Sequence, residues 1–233
     1  MAEKKNNILQ GLFLLLLLVI LPFGSWYYMG AGHKYYKESM AELKDYGVLP
    51  AFSLITQNGQ QLDHSLLTGK MSVVAFINPK SASSPELLKN LSLLHKQFNK
   101  RKDLFFLIHM LTEENLSQDF LKEMEEKYDL TDDEQCFILT GEESVIQNLV
   151  GTKYKVPDLK SEKSKEALIP LSSNSIGTIK EYPYLVLVDS KHVIRNYYLG
   201  NDKGSMKRLV EHISLILPKE LEEKPVLKRE KEK

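Results

Sequence analysis

The stretch SVVAFINPKSASSPELLKNLSLLHKQF, residues 72–98, contains the order of elements that decides the fold. Its first six residues form a Val- and Phe-rich run that is typical of a buried strand. Leucines then recur at helical spacing as far as Phe98, which indicates a helix. Ser84 fits the N-cap of that helix, Pro85 its first position and Glu86 the positive end of its dipole. The stretch therefore predicts a buried strand, a serine-rich loop and a helix.

The flanking sequence extends this pattern in both directions. Upstream, residues 51–55 alternate like a strand, and Asn58-Gly59 is a tight-turn pair, so a β-hairpin precedes the central strand. Downstream, the patterns predict strands at 104–111, 136–139, 184–189 and 193–198, and helices at 117–128, at 141 to about 154 and at 206–217. Strands that alternate with helices predict an α/β sandwich with a central β-sheet flanked by helices.

The amino-acid composition restricts which class of protein this chain can be. The chain has 233 residues, of which 42% are hydrophobic and 27% are charged, so it is typical of one globular domain with an appendage. Its 31 basic and 31 acidic residues balance, and the chain therefore carries no excess charge that would attract nucleic acid. We expect no nucleic-acid partner.

The N-terminus predicts a membrane anchor. Residues 8–28 are apolar and, at about 1.5 Å per residue, long enough to cross a hydrocarbon core of about 30 Å. The aromatic residues 26–28 suit a membrane interface better than a cleavage site, although residues 30–31 leave a cleaved signal peptide as the alternative. Lys4 and Lys5 predict a cytoplasmic N-terminus, with the rest of the protein on the extracytoplasmic side, in a periplasm or an intermembrane space.

These patterns divide the chain into five segments. We predict a cytoplasmic N-terminus at 1–7, the transmembrane anchor at 8–28, a linker helix at 29–48, the folded domain at 49–217 and a charged C-terminal tail at 218–233. Within the domain, residues 155–180 have no clear period and are predicted to be a surface loop.

Cysteine and histidine usage argues against redox and metal chemistry. Cys136 is the one cysteine, which excludes an internal disulfide and a Cys-x-x-Cys pair. It lies in a predicted buried strand, where we expect it to pack as a small hydrophobe rather than act as a redox thiol. The six histidines fall on different predicted elements without metal-ligand spacing, so we expect no metal and no cofactor. A cluster of two or three histidines that forms only on folding remains the alternative.

Three phrases carry a resemblance to a known family. The segments PAFSLITQNGQQLDHSLLTGKMSVVAFINP (50–79), CFILTGEESVIQNLV (136–150) and YPYLVLVDSKHVIRNYYLG (182–200) resemble the Sco/SenC proteins, and the first also resembles peroxiredoxin-like proteins. The similarity spans about 49–217, and an N-terminal anchor is also the Sco/SenC arrangement. The resemblance implies a thioredoxin-like fold.

The same resemblance identifies an altered site. Sco/SenC proteins are membrane-tethered copper carriers or thiol reductants that help to assemble the copper site of cytochrome c oxidase, using a Cys-x-x-x-Cys-Pro motif and a distant histidine. When Pro85 is matched to the motif proline, the cysteine positions fall on Lys80 and Ser84; counting in the thioredoxin manner selects Ser81 and Ser84 instead. The family histidine falls near Glu181, and neither Lys180 nor Tyr182 supplies an imidazole.

Loss of these ligands predicts loss of the chemistry. Cu(I) selects soft thiolate and thioether ligands, and thiol–disulfide exchange and peroxiredoxin chemistry both need a thiolate. The serines form no G-x-S-x-G elbow, so we expect helix capping rather than nucleophilic catalysis from them. Pro183 stands where thioredoxin-like folds often have a cis-proline, and a trans proline at the start of a strand is the alternative. The degenerate site is therefore predicted to comprise Lys80, Ser81, Ser84, Pro85, Glu181 and Pro183.

The resulting functional prediction is a redox-inactive accessory protein. We expect it to bind membrane-protein partners, such as those of a respiratory chain, and to act in respiratory oxidase assembly. One alternative is a copper carrier that uses His or Met ligands brought together by the loop 155–180. Another is an enzyme of altered chemistry that uses Lys80, Glu181 or Tyr182 as acid or base.

Overall fold

The computed structural model describes residues 2–49, 51–111, 116–131, 134–141, 145–146, 149 and 184–218. The chain divides into two compact units, residues 1–43 and residues 44–233. The first unit is one helix, α1 (Ala2–Glu42), which contains Pro22. Its part Phe13–Glu42 has a mean hydropathy of 1.8 over its most apolar window and is long and apolar enough to cross a membrane. The predicted anchor and most of the predicted linker helix thus lie in a single helix.

The second unit contains the strands and helices of the predicted sandwich. Its described strands are β1 (Ser53–Thr56), β2 (Gln61–Asp63), β3 (Met71–Ile77), β4 (Leu104–Met110), β5 (Cys136–Thr140), β6 (Tyr184–Val188) and β7 (Ile194–Leu199). Its described helices are α2 (Ser84–Phe98), α3 (Gln118–Tyr128) and α4 (Lys203–Ile216), with a short 3-10 helix at His64–Leu67. The predicted loop 155–180, most of the predicted helix from 141 to about 154 and all but the first residue of the tail 218–233 lie outside the described residues.

The strands form one mixed sheet in the order β2-β1-β5-β4-β3-β6-β7. The inner strands β3, β4 and β5 are parallel, and the outer strands pair antiparallel. All seven residues of β3 are buried, because both faces of the sheet are covered at this position. A continuous apolar run is the sequence pattern that such a strand requires.

Helices cover one face of the sheet. On that face the His95 ring of α2 meets the Phe106 ring of β4 at a centroid distance of 5.4 Å. Helix α3 contacts α2, and α4 contacts β7. Along β3 and β4, side chains alternate between the two faces, so the neighbours of Phe106 point away from these helices.

The opposite face carries a large apolar cluster. It comprises Leu49, Phe52, Leu54, Leu62, Leu67, Val74, Phe76, Leu107, Leu139, Ile146, Leu149, Val186, Val188 and Ile194. Several of these side chains come from the segments before β1 and after β2, which therefore cover this face. Burial of apolar area on both faces is the main stabilising contribution in such an architecture.

Both edges of the sheet are protected from pairing with another chain. Strand β2 at one edge is only three residues long. At the other edge, the segment that leads into the domain pairs with β7: Lys44 and Tyr46 donate backbone hydrogen bonds to the carbonyls of Arg195 and Ile194, at 3.1 and 3.0 Å. Backbone groups that would otherwise invite pairing with another chain are thereby satisfied.

Candidate functional site

The serine-rich loop lies where β3 ends and α2 begins. Residues 78–83 follow Ile77 directly, and the Leu111 amide donates to the Ile77 carbonyl at 2.7 Å, which ties the end of β3 to the end of β4. Loops at the carboxyl ends of parallel strands commonly form ligand sites in α/β proteins. The position of this loop therefore fits the site that the sequence predicts.

Asn78 organises the loop through three acceptor contacts. Its side-chain Oδ1 accepts the backbone amide of Lys80 at 3.0 Å. Its backbone carbonyl accepts the Ser81 amide at 2.9 Å and the Ser84 hydroxyl at 2.6 Å. These bonds fold the chain back on itself before the helix starts, so the shape of the loop is set by its own residues.

The predicted capping role of Ser84 is wrong. The N-cap of α2 is Ser83, whose side chain makes no capping hydrogen bond, and Ser84 is the first helical residue. The reason is that the hydroxyl of Ser84 is turned back to the Asn78 carbonyl. The Ser81 and Ser83 hydroxyls pair at 2.9 Å. These serines therefore build the loop instead of capping the helix.

The structure brings together four of the six predicted site positions. Lys80 and Pro85 are exposed, Ser81 is half-buried, and the Ser84 residue is only 5% exposed. Glu181 and Pro183, like Lys180 and Tyr182, lie outside the described residues. The four described positions present hydroxyls, an amine and a proline ring, which are hard or apolar groups. This donor set offers nothing that Cu(I) prefers.

The single thiol is far from this loop. Cys136 pairs with Phe106, which in turn pairs with Val73, four residues before the end of β3. At about 3.3 Å per residue, the thiol lies about 13 Å below the loop along the strand direction. Cys136 is fully buried, as predicted for a packing residue. It cannot serve the loop as a nucleophile or a ligand in this arrangement.

One buried histidine lies level with the base of the loop. His109 pairs with Phe76 in the β3–β4 register, its ring stacks on Phe76 at 5.3 Å and it meets Phe52 edge-on at 5.7 Å. Burial lowers its pKa from 6.5 to about 3, so the imidazole is neutral at physiological pH. The sequence signal for this burial is the position of His109 inside the apolar run LFFLIHM. His109 therefore packs as a core residue.

Sequence comparisons identify no relative. No protein-family model matches the chain, and no curated protein sequence matches it. Solved structures do match its fold.

The similar structures include several Sco proteins. A SCO1/SenC family lipoprotein from Bacillus anthracis aligns with a TM-score of 0.59 and 18% identity, covering 75% of this chain and 98% of its own. BsSco, a member of the Sco family of cytochrome c oxidase assembly proteins, aligns at 0.57 with 17% identity, over 75% and 95% of the two chains. ScoI from Bradyrhizobium japonicum, with copper bound, aligns at 0.53 with 15% identity, over 73% and 100%. The chain therefore has the thioredoxin-like fold that Sco/SenC proteins share.

Proposed function

We propose that this protein is a membrane-anchored, redox-inactive protein of Sco/SenC type that acts by binding partners during the assembly of a respiratory oxidase. The observation that carries the proposal is the loop between β3 and α2, in which Lys80 and Ser84 occupy the positions that resemble the two motif cysteines. The scaffold is kept, whereas the groups needed for copper or thiol chemistry are replaced.

The chemistry of the loop supports a binding role. A serine hydroxyl is far too weakly acidic to replace a thiolate without a dedicated base, and the one cysteine is buried at another level of the sheet. Lys80 is exposed, so it lacks the burial that would favour an acid–base enzyme. What remains is a structured, solvent-accessible loop, and such loops commonly carry binding functions.

Helix α1 supports a membrane location for this role. We infer that α1 stays attached as an anchor, with a cytoplasmic N-terminus and the sheet domain on the extracytoplasmic side. The basic residues Lys4 and Lys5 precede the apolar segment, which is the charge distribution expected for that orientation. The partners would then be membrane proteins or proteins of the same compartment.

Site-specific photo-crosslinking in native membranes tests the proposal. A photoreactive amino acid placed at the exposed position 82 in the loop is expected to crosslink to a subunit or assembly factor of a respiratory oxidase. The matched control carries the same photoreactive residue at the exposed position 122 on α3, away from the loop. The substitution Lys80→Glu is expected to reduce the crosslink from position 82, and Lys122→Glu is expected to leave it unchanged.

Two results would oppose the proposal. One is a chain that crosslinks to nothing from position 82. The other is a chain that captures the same proteins from positions 82 and 122, because the contact would then be non-specific. Circular dichroism of each variant would show that the fold is intact, so that a loss of crosslinking reports on binding.

A further inference from the structure

Two histidines that are far apart in the sequence meet in the folded domain. His64 is the first residue of the 3-10 helix after β2, and His192 lies in the turn between β6 and β7. Their ring centroids are 5.3 Å apart, with an interplanar angle of 68°. Both residues are half-buried. The two imidazoles are therefore adjacent and partly shielded from water.

The backbone holds both residues in place. The His64 amide donates to the Phe52 carbonyl at 3.1 Å, and the His192 carbonyl accepts the Leu49 amide at 2.6 Å. Leu49 and Phe52 belong to the same short segment before β1, and both are buried. That segment therefore positions the two histidines relative to each other.

The turn geometry does not account for a histidine at position 192. The His192 amide donates to the Asp189 carbonyl, and the Asp189 amide donates to the Val193 carbonyl, both at 3.0 Å. His192 itself has φ of 63°, in the left-handed region. A turn closed by such a residue favours glycine, and a side chain there is strained. Strained residues are frequent at functional sites, where the surroundings hold them in place.

The ring of His192 also has an unused buried atom. Its Nε2 is inaccessible to solvent and has no hydrogen-bond partner among the described residues. A buried polar atom of this kind costs free energy and calls for an explanation, such as an ion. Neutral imidazole nitrogens are common ligands of divalent transition metals.

We propose that His64 and His192 form a two-imidazole binding site for a divalent transition-metal ion such as Cu(II) or Zn(II). A metal about 2.1 Å from one nitrogen of each ring places two ring centroids about 5 Å apart when the ligand angle is near tetrahedral. The observed separation of 5.3 Å agrees with that value. The described residues contain no group of three or more His, Cys, Asp or Glu that could hold a metal, so the site offers two protein ligands and we expect water or an exogenous ligand to complete the coordination.

This site is separate from the serine-rich loop. The turn that carries His192 follows Val188, which pairs with Ser72 at the start of β3, whereas the loop follows Ile77 at the end of β3. The five-residue difference corresponds to about 17 Å along the sheet. The inference therefore does not depend on the function proposed for the loop.

Metal titration of the full-length chain tests the inference. The protein, in detergent and without a polyhistidine tag, is titrated with Cu(II) and with Zn(II) by calorimetry, and the Cu(II) form is examined by electron paramagnetic resonance. We expect one equivalent to bind, with nitrogen hyperfine structure from two imidazoles. His64→Gln and His192→Asn are each expected to weaken binding at least about tenfold, since even outer-shell substitutions commonly have effects of that size.

A second substitution at position 192 separates ligand loss from misfolding. His192→Gly fits the left-handed backbone, so it is expected to keep the fold while losing the metal. His33→Gln, on the exposed surface of α1, is the matched control and should bind like the wild type. Failure of the wild type to bind, or equal affinity in the wild type, His64→Gln and His192→Gly, would overturn the inference and leave the ring contact as packing.

Discussion

The imidazole of His109 lies between the rings of Phe76 and Phe52 and is fully buried. Burial disfavours its charged form and lowers its pKa from 6.5 to about 3. In the unfolded chain the same imidazole has its ordinary pKa of 6.5 and is protonated below that pH. The unfolded state therefore binds more protons than the folded state below about pH 6.5, and acidification removes stability.

His109→Leu tests this linkage. The contribution of His109 to stability is complete above pH 6.5 and is lost as the pH falls toward 3. Between pH 7.5 and pH 5 the free energy of unfolding of the wild type should therefore fall by about 2 kcal/mol relative to the variant. Urea unfolding at the two pH values measures the difference. An unchanged difference would show that His109 is protonated in the folded protein, and His33→Leu, at an exposed position, serves as the control.

His192 illustrates a residue whose type conflicts with its backbone conformation. Its φ of 63° carries a cost that glycine does not have. In metal-free protein, His192→Gly should raise the free energy of unfolding by about 1 kcal/mol. His192→Asn, which tolerates the left-handed region, should fall between the glycine variant and the wild type. Thermal unfolding in the presence of a chelator measures the order of stability of the three proteins. A glycine variant less stable than the wild type would mean that packing of the His192 ring stabilises the fold by more than the backbone strain destabilises it.

At the scale of elements, the apolar runs predict the inner sheet well. The run at 72–77 and the segment 104–111 correspond to β3 and β4 to within one residue at each end, because a strand buried on both faces must be apolar throughout. The start of α2 differs from the prediction by one residue, because the N-cap is Ser83 and not Ser84. Serine, proline and glutamate at 84–86 fit a helix N-terminus. Whether Ser83 or Ser84 is the N-cap depends on the bond from the Ser84 hydroxyl to the Asn78 carbonyl, which local residue preferences do not predict.

Alanine substitutions at these two serines test the roles assigned to them. Ser84→Ala removes a hydrogen bond of 2.6 Å made by a buried residue, and we expect it to lower the free energy of unfolding by about 1 kcal/mol. Ser83→Ala should lower that free energy by less than Ser84→Ala does, because the Ser83 side chain makes no capping bond and its hydroxyl pairs only with the half-buried Ser81. Urea unfolding of the wild type and both variants measures these changes in the free energy of unfolding. A larger loss of stability in Ser83→Ala than in Ser84→Ala would contradict the roles assigned to the two serines.

At the scale of the whole molecule, the sequence predicts the sandwich, the apolar N-terminal helix and the absence of thiols from the loop. These features follow from periodicity and residue identity, which are local properties. It does not predict the contact of His64 with His192, because that contact depends on two segments crossing the same face of the sheet. The stacking of His109 on Phe76 likewise depends on which side of β4 faces that ring.

The proposed function makes one central claim, which is that this thioredoxin-like scaffold works without copper chemistry at the loop between β3 and α2. If only the ligands are missing, the double substitution Lys80→Cys and Ser84→Cys should restore a soft two-thiolate site on the same backbone. In the natural chain, the Lys80 amide and the Ser84 hydroxyl both donate to Asn78, so the two positions belong to the same folded loop. This variant is therefore the positive control for the scaffold.

The most direct test is a Cu(I) competition titration of the full-length protein against a chelator that reports free copper. The comparison uses chains that carry His64→Gln and His192→Asn, so that the histidine pair does not contribute. We predict that the chain with the natural loop takes up no stoichiometric Cu(I), and that the same chain with Lys80→Cys and Ser84→Cys takes up one equivalent. One tight equivalent in the chain with the natural loop would contradict the claim, because ligands other than thiols at that loop would then hold copper.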